Sequence, residues 1–224
     1  MNRIFIGITG LILTASSSAL AGYVVEDIPS WRGDANTAHY EWETFASPYG
    51  KPNFANNVPP TPDAMLFNFG EDAIITGAGN IYGYGGALNI HTYGYSDTDI
   101  QDVVFNFATM GTEIDYTGAM LAWNDGTDGG ESGIVMPLSD YNMNYYEEVD
   151  FGQGPGAIVN VSWSFDLSGI SADIREIGLI WSSETNNISL NTASMDMRYA
   201  AIPAPGALAL LGLAGLAGRR RRRH

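Results

Sequence analysis

Four tyrosines lie close together in a glycine-rich stretch, as Tyr82-Gly83-Tyr84-Gly85 and Tyr93-Gly94-Tyr95. An amphipathic ring offers a flat apolar face and a polar tip, the chemistry a sugar ring needs. The intervening glycines let a ligand come close to the backbone. The same pattern also suits an edge hairpin whose tyrosines cover the core. Two acidic runs, Asp97, Asp99 and Asp102, and Asp125, Asp128 and Glu131, offer hard oxygen ligands of the kind Ca²⁺ takes. Neither has the twelve-residue spacing of an EF-hand, and such runs also occur as solvated turns. Glu147, Glu148 and Asp150 are the carboxylates a glycosidase pair would draw on. Outside the last residue the histidines are His39 and His91, in separate segments. The chain has no G-x-S-x-G, H-E-x-x-H or phosphate-loop motif, so the reading is non-enzymatic. Arg32-Gly33-Asp34 spells an adhesion tripeptide, and Asn160-Val161-Ser162 and Asn187-Ile188-Ser189 match a glycosylation sequon, all short enough to recur by chance.

The elements that must position these groups are strands. Ala157, Val159, Val161, Trp163 and Phe165 alternate with Ile158, Asn160, Ser162 and Ser164, which predicts a half-buried strand. Tyr40, Trp42 and Thr44, and Met195, Met197 and Tyr199, repeat the two-residue period. Further strands are expected within 23–28, 64–69, 88–93, 102–108, 120–123 and 177–181, separated by Gly, Asn and Asp turns. Five prolines between positions 48 and 62 predict an extended loop. No segment carries a sustained apolar 3.6-residue period. The expected fold is all-β, an antiparallel β-sandwich of the jelly-roll kind, over 22–202.

The 224 residues hold 25 acidic and 10 basic side chains, and five of the basic ones are the terminal arginines. Residues 22–202 set all 25 acids against Arg32, Lys51, Arg175 and Arg198, a net of −21. Such a polyanion repels phosphate backbones, which excludes nucleic acid as a partner. The absence of Cys excludes disulfides, thiolate metal sites and cysteine nucleophiles. No cofactor is called for, a structural Ca²⁺ on the acidic loops apart.

The ends read as sorting signals. Arg3 precedes a ten-residue apolar run, and Ala19-Leu20-Ala21 before Gly22 is an A-x-A cleavage site, so 1–21 is expected to be a signal peptide. At the other end, Pro203-Ala204-Pro205 leads into an uncharged Gly/Ala/Leu block over 206–218 and then Arg219, Arg220, Arg221, Arg222 and Arg223. With 202–205 the apolar block reaches 17 residues, the lower limit for a transmembrane helix. The arginines would hold it with the body outside the inner membrane.

This three-part end over 203–224 resembles the PEP-CTERM sorting domain, whose members usually carry Pro-Glu-Pro where this chain has Pro203-Ala204-Pro205. The resemblance implies a bacterial protein exported through the inner membrane and briefly anchored there. It further implies cutting by an exosortase, after signal peptidase, and release to the cell surface or extracellular matrix alongside exopolysaccharide. The alternative for the tail is an ordinary C-terminal anchor. For the body, the expectations are a matrix protein associated with exopolysaccharide, a carbohydrate-binding module with a defined glycan, or, with least support, a polysaccharide-degrading enzyme.

Overall fold

The computed structural model describes residues 25–152 and 154–201. The signal-peptide segment with Ala19, Ala21 and Gly22, and the tail with Pro203 to Pro205 and the five arginines, lie outside the described residues. Among those described, no helix is long and apolar enough to cross a membrane.

Thirteen strands of the described residues form two antiparallel sheets. The larger contains β10 (Asn142–Asp150), β11 (Pro155–Asp166), β7 (Ile100–Gly111), β13 (Ile188–Tyr199), β5 (Ile81–Gly83) and β4 (Ala73–Ile75) in that order, and β1 (Thr37–Trp42) also pairs with β13. The smaller runs β2 (Asn53–Phe54), β3 (Ala64–Asn68), β6 (Asn89–Tyr95), β12 (Glu176–Ser182), β8 (Met120–Asn124) and β9 (Ser132–Val135). The chain changes sheet between β1 and β2, β3 and β4, β5 and β6, β6 and β7, β7 and β8, β9 and β10, β11 and β12, and β12 and β13. The expected all-β antiparallel sandwich is therefore the architecture.

Alternation explains why the sheets face one another. Along β11 the set Ala157, Val159, Val161, Trp163 and Phe165 points inward and is buried, and Phe105 and Phe107 of β7 lie beside it. Phe107 meets Trp163 edge-on at 5.7 Å within its own sheet and Trp181 of the facing sheet at 5.2 Å. That contact ties the two layers. Truncating a buried Phe or Trp of this kind to Ala typically costs about 3–5 kcal/mol.

Two expectations are corrected. The strand expected over 23–28 is absent from its described part: residues 25–29 form no strand and cross the outer face of the seven-stranded sheet. The Val25 and Asp27 amides donate to the side-chain oxygens of Asn160 (3.2 Å) and Asn106 (2.7 Å) instead of to a neighbouring strand. Arg32 closes this strap, its Nε and Nη2 donating to the two oxygens of the fully buried Asp196 at 2.7 and 2.6 Å. His39 Nδ1 lies 3.1 Å from the same carboxylate. In consequence β11 is not half-buried, since Asn160 and Ser162 on its outer side are covered by the strap. Asn160 is thus inaccessible as a sequon, and Arg32 is unavailable as part of an adhesion tripeptide.

Candidate functional site

Strand register assembles one continuous surface on the outer side of the six-stranded sheet. Phe54, Met65, Tyr93, Gly178, Ala122 and Ile134 lie in one row across all six strands. Phe67, His91, Ile180 and Met120 form the next row across four of them. On the other side, Tyr95, Glu176, Asn124 and Ser132 form a polar row. Their neighbours at the alternate positions of the same strands, such as Leu66, Ile90, Leu121 and Leu179, are the core side chains, so the period of two forces these groups outward.

The aromatic rings are held in fixed positions. Phe67 and Phe69 stack at 5.5 Å and 5°. Tyr93 stands edge-on to Phe67 at 5.8 Å, and His91 edge-on to Phe69 at 4.8 Å. His91 is depressed from its ordinary pKa by burial and is neutral at pH 7. A neutral imidazole has one donor and one acceptor, and both are used: Nε2 pairs with Asn89 Oδ1 at 3.1 Å and Nδ1 with the Tyr93 hydroxyl at 3.0 Å. Burial also raises Tyr93, which therefore keeps the proton it gives to His91. The Tyr93 ring lies over Gly178, where a Cβ would come within 2.9 Å of Tyr93 Cε1. Gly178 is needed for the ring to lie there.

Beside Tyr93 is an open groove of about 410 Å³ between Tyr95, Glu176, Asn124 and Ile134. Asn124 Nδ2 donates to Glu176 Oε2 at 2.7 Å, leaving its own carbonyl oxygen toward the Gly126 amide at 2.7 Å. Tyr95 is raised by burial, then by the charge of Glu176 and by Tyr93. The groove runs on past Tyr95 and Glu176 into a cleft of about 600 Å³ at the end of the sandwich. Asp63, Asp97, Asp125 and Glu176 line that cleft against one cation, Arg175. The arrangement presents flat rings and hydrogen-bonding tips with a negative rim, which suits an uncharged polyol and repels an anionic one.

The structure divides the four tyrosines named from sequence. Tyr93 and Tyr95 belong to this surface, whereas Tyr82 and Tyr84 sit at β5 in the other sheet. They do not form one platform, because the chain between them passes from one sheet to the other through Gly85 and Gly86. The acidic runs are occupied by turn chemistry. Asp99 Oδ1 accepts the Ile174 amide at 2.8 Å, and Asp102 pairs with Arg198 at 2.5 Å. Asp125 accepts from the Thr127 amide and hydroxyl and from the Glu131 amide, which hold it below the usual carboxylate range. Asp97 holds Arg175 through its carbonyl, and Asp128 lies in the same exposed loop as Asp125. Among the described residues no three His, Asp or Glu side chains converge at metal-ligand spacing. Glu147 and Glu148 are neighbours on β10 and so face opposite sides of its sheet. Phe67, Phe69, His91, Gly178 and Ile134 are the surface residues that sequence reasoning missed. Three of them sat in strands read correctly, but cross-strand register, which aligns them, leaves no local mark.

No family model matches the chain, and no curated protein matches it. Among solved structures, it is similar over 71% of its length to the enzymatically active domain of tailspike protein 4 from bacteriophage CBA120, of which it covers 19%, at 9% identity and TM-score 0.27. It is similar over the same share to CBM28, a carbohydrate-binding module specific for non-crystalline cellulose, covering 88% of that chain at 16% identity and TM-score 0.26.

Proposed function

We propose that this is an exported bacterial surface or matrix protein, non-enzymatic, that binds uncharged polysaccharide on the outer face of its six-stranded sheet. The observation that carries the reading is Tyr93, seated over Gly178 and fixed by His91 and Phe67 beside the Tyr95–Glu176–Asn124 groove. Rings held in this way lose little freedom on binding, so most of their contact energy appears as affinity. The acidic cleft that continues the groove favours neutral glycans over anionic ones. Export, brief anchoring and exosortase cutting of the tail complete the proposal, resting on the order of sorting motifs at the two ends. No cofactor is part of it; Ca²⁺ on the Asp97–Asp102 or Asp125–Asp128 loops is the alternative that a chelator-dependent melting temperature would reveal.

The test is affinity electrophoresis of the purified protein through gels containing hydroxyethylcellulose, soluble mannan or alginate. Retardation in a neutral gel, weakened in Tyr93→Ala, supports the reading. Retardation by alginate alone, or by none, contradicts it, and release of reducing ends from any of them would make the protein an enzyme.

A further inference from the structure

We propose that the opposite face of the sandwich carries a second groove for an uncharged sugar, so that one molecule joins two polysaccharide strands; this rests on the glycan-binding reading above. The groove measures about 480 Å³ and lies on the outer side of the seven-stranded sheet. Its floor is the row of Tyr82, Ser189 and Met110, set side by side by the register of β5, β13 and β7. Phe151 stands at one wall, and Asn80 and Asn187 at the other.

Three features of the backbone bring amides to this place. β13 shifts register between Leu190 and Thr192, a bulge at Asn191 of the sort that re-aims a side chain. Asn191 Oδ1 thereby accepts from Asn80 Nδ2 at 2.9 Å and from the Ser189 hydroxyl at 2.8 Å. Asn187 takes a left-handed conformation, φ 65°, which directs its side-chain oxygen to the Tyr82 hydroxyl at 3.1 Å. The opposing turn accepts this only because residue 111 is glycine, since a Cβ there would meet the Asn187 carbonyl at 2.0 Å. Tyr84, 66% exposed, continues the surface 6.3 Å from the Tyr82 ring.

In a body that holds 25 acids, the described residues lining this groove include none with a charge. Amides and hydroxyls around two rings, without charge, match a neutral hexose better than an anion, a cation or a purely apolar ligand. The two sites open on opposite sides of a sandwich whose sheets pack about 10 Å apart, so they face away from one another. One linear strand lying along either face leaves the other free, and occupation of both faces links two strands.

The experiment is titration calorimetry with a short oligosaccharide of whichever neutral glycan retards the protein, paired with turbidity of the intact polymer. The unaltered protein should bind two oligosaccharides and make the polymer turbid. Tyr82→Ala should bind one and clear the solution. Tyr93→Ala should also bind one, and the Tyr82→Ala/Tyr93→Ala pair none. A stoichiometry of one that Tyr93→Ala alone abolishes would overturn the second site and leave the first intact. A single site lost in Tyr82→Ala but kept in Tyr93→Ala would overturn the first reading instead, and with it the bridging.

Discussion

Gly178→Ala moves the Tyr93 ring without removing it. The added Cβ would sit 2.9 Å from Cε1 and 3.0 Å from Cδ1 of the ring, while carbon atoms rest comfortably at about 3.5–4.0 Å. The ring must therefore rise by about 0.6–1 Å. Its hydroxyl is 3.0 Å from His91 Nδ1, near the normal length, and a rise of that size breaks the bond or forces His91 to follow. A hydrogen bond of this kind is worth about 0.5–1.5 kcal/mol. Against that, replacing a strand glycine by Ala recovers about 0.5–1 kcal/mol of backbone entropy. Folding stability should hence change by less than about 1 kcal/mol, whereas the tilted ring loses its flat contact with the sugar. One face of a tyrosine is roughly a third of its 150–250 Å², and at about 25 cal/mol per Å² the contact contributes about 1.5 kcal/mol. Calorimetric affinity for the neutral glycan should fall about tenfold at an almost unchanged melting temperature. Unchanged affinity would refute the claim that Tyr93 stacks on the ligand, and a large loss of stability would refute the claim that the ring alone opposes a side chain at 178.

Three further outcomes are expected. His91 has a folded pKa below its ordinary 6.5, so its stabilising effect is present above 6.5 and is lost as pH falls through the lower folded value; affinity should fall over the same acid window, and His91→Gln should flatten that profile. Arg32→Ala leaves the fully buried Asp196 with His39 as its nearest basic group, which should cost about 3 kcal/mol and lower the melting temperature by roughly 6–12 °C; a drop under about 2 °C would show that the strap does not depend on this pair. Mass spectrometry of the native protein should find a C-terminus between Pro203 and Gly206, and isoelectric focusing should place it below the pI of about 4.3 that the whole chain's composition gives; intact terminal arginines would make the tail an ordinary anchor.

The long central strands were legible because they obey one rule: apolar side chains at every second position, as from Ala157 to Phe165. The strap was not, because Val25 and Asp27 bond to the side-chain amides of Asn160 and Asn106 far along the chain, and Asn160 and Ser162 read as the outer side of a half-buried strand. β10 also escaped notice, since an edge strand with mostly exposed side chains such as Glu147 and Glu148 needs no alternation. At the site, Tyr93 and Tyr95 declared themselves by type and spacing. What surrounds them did not: the alignment of Phe67, Gly178 and Ile134 with Tyr93 is set by pairing between strands distant in sequence. The same limit made Tyr82 and Tyr84 look like neighbours of Tyr93, when two glycines carry the chain to the other sheet.

The most direct test of the central claim compares the unaltered protein with Tyr93→Ala and Tyr95→Ala for retardation in hydroxyethylcellulose, mannan and alginate gels. Binding should occur in a neutral gel, persist in high salt because no ion pair drives it, and weaken about tenfold or more in each variant while the melting temperature holds. Salt-sensitive binding to alginate, or neutral binding that both variants keep in full, would contradict a glycan surface built on these tyrosines.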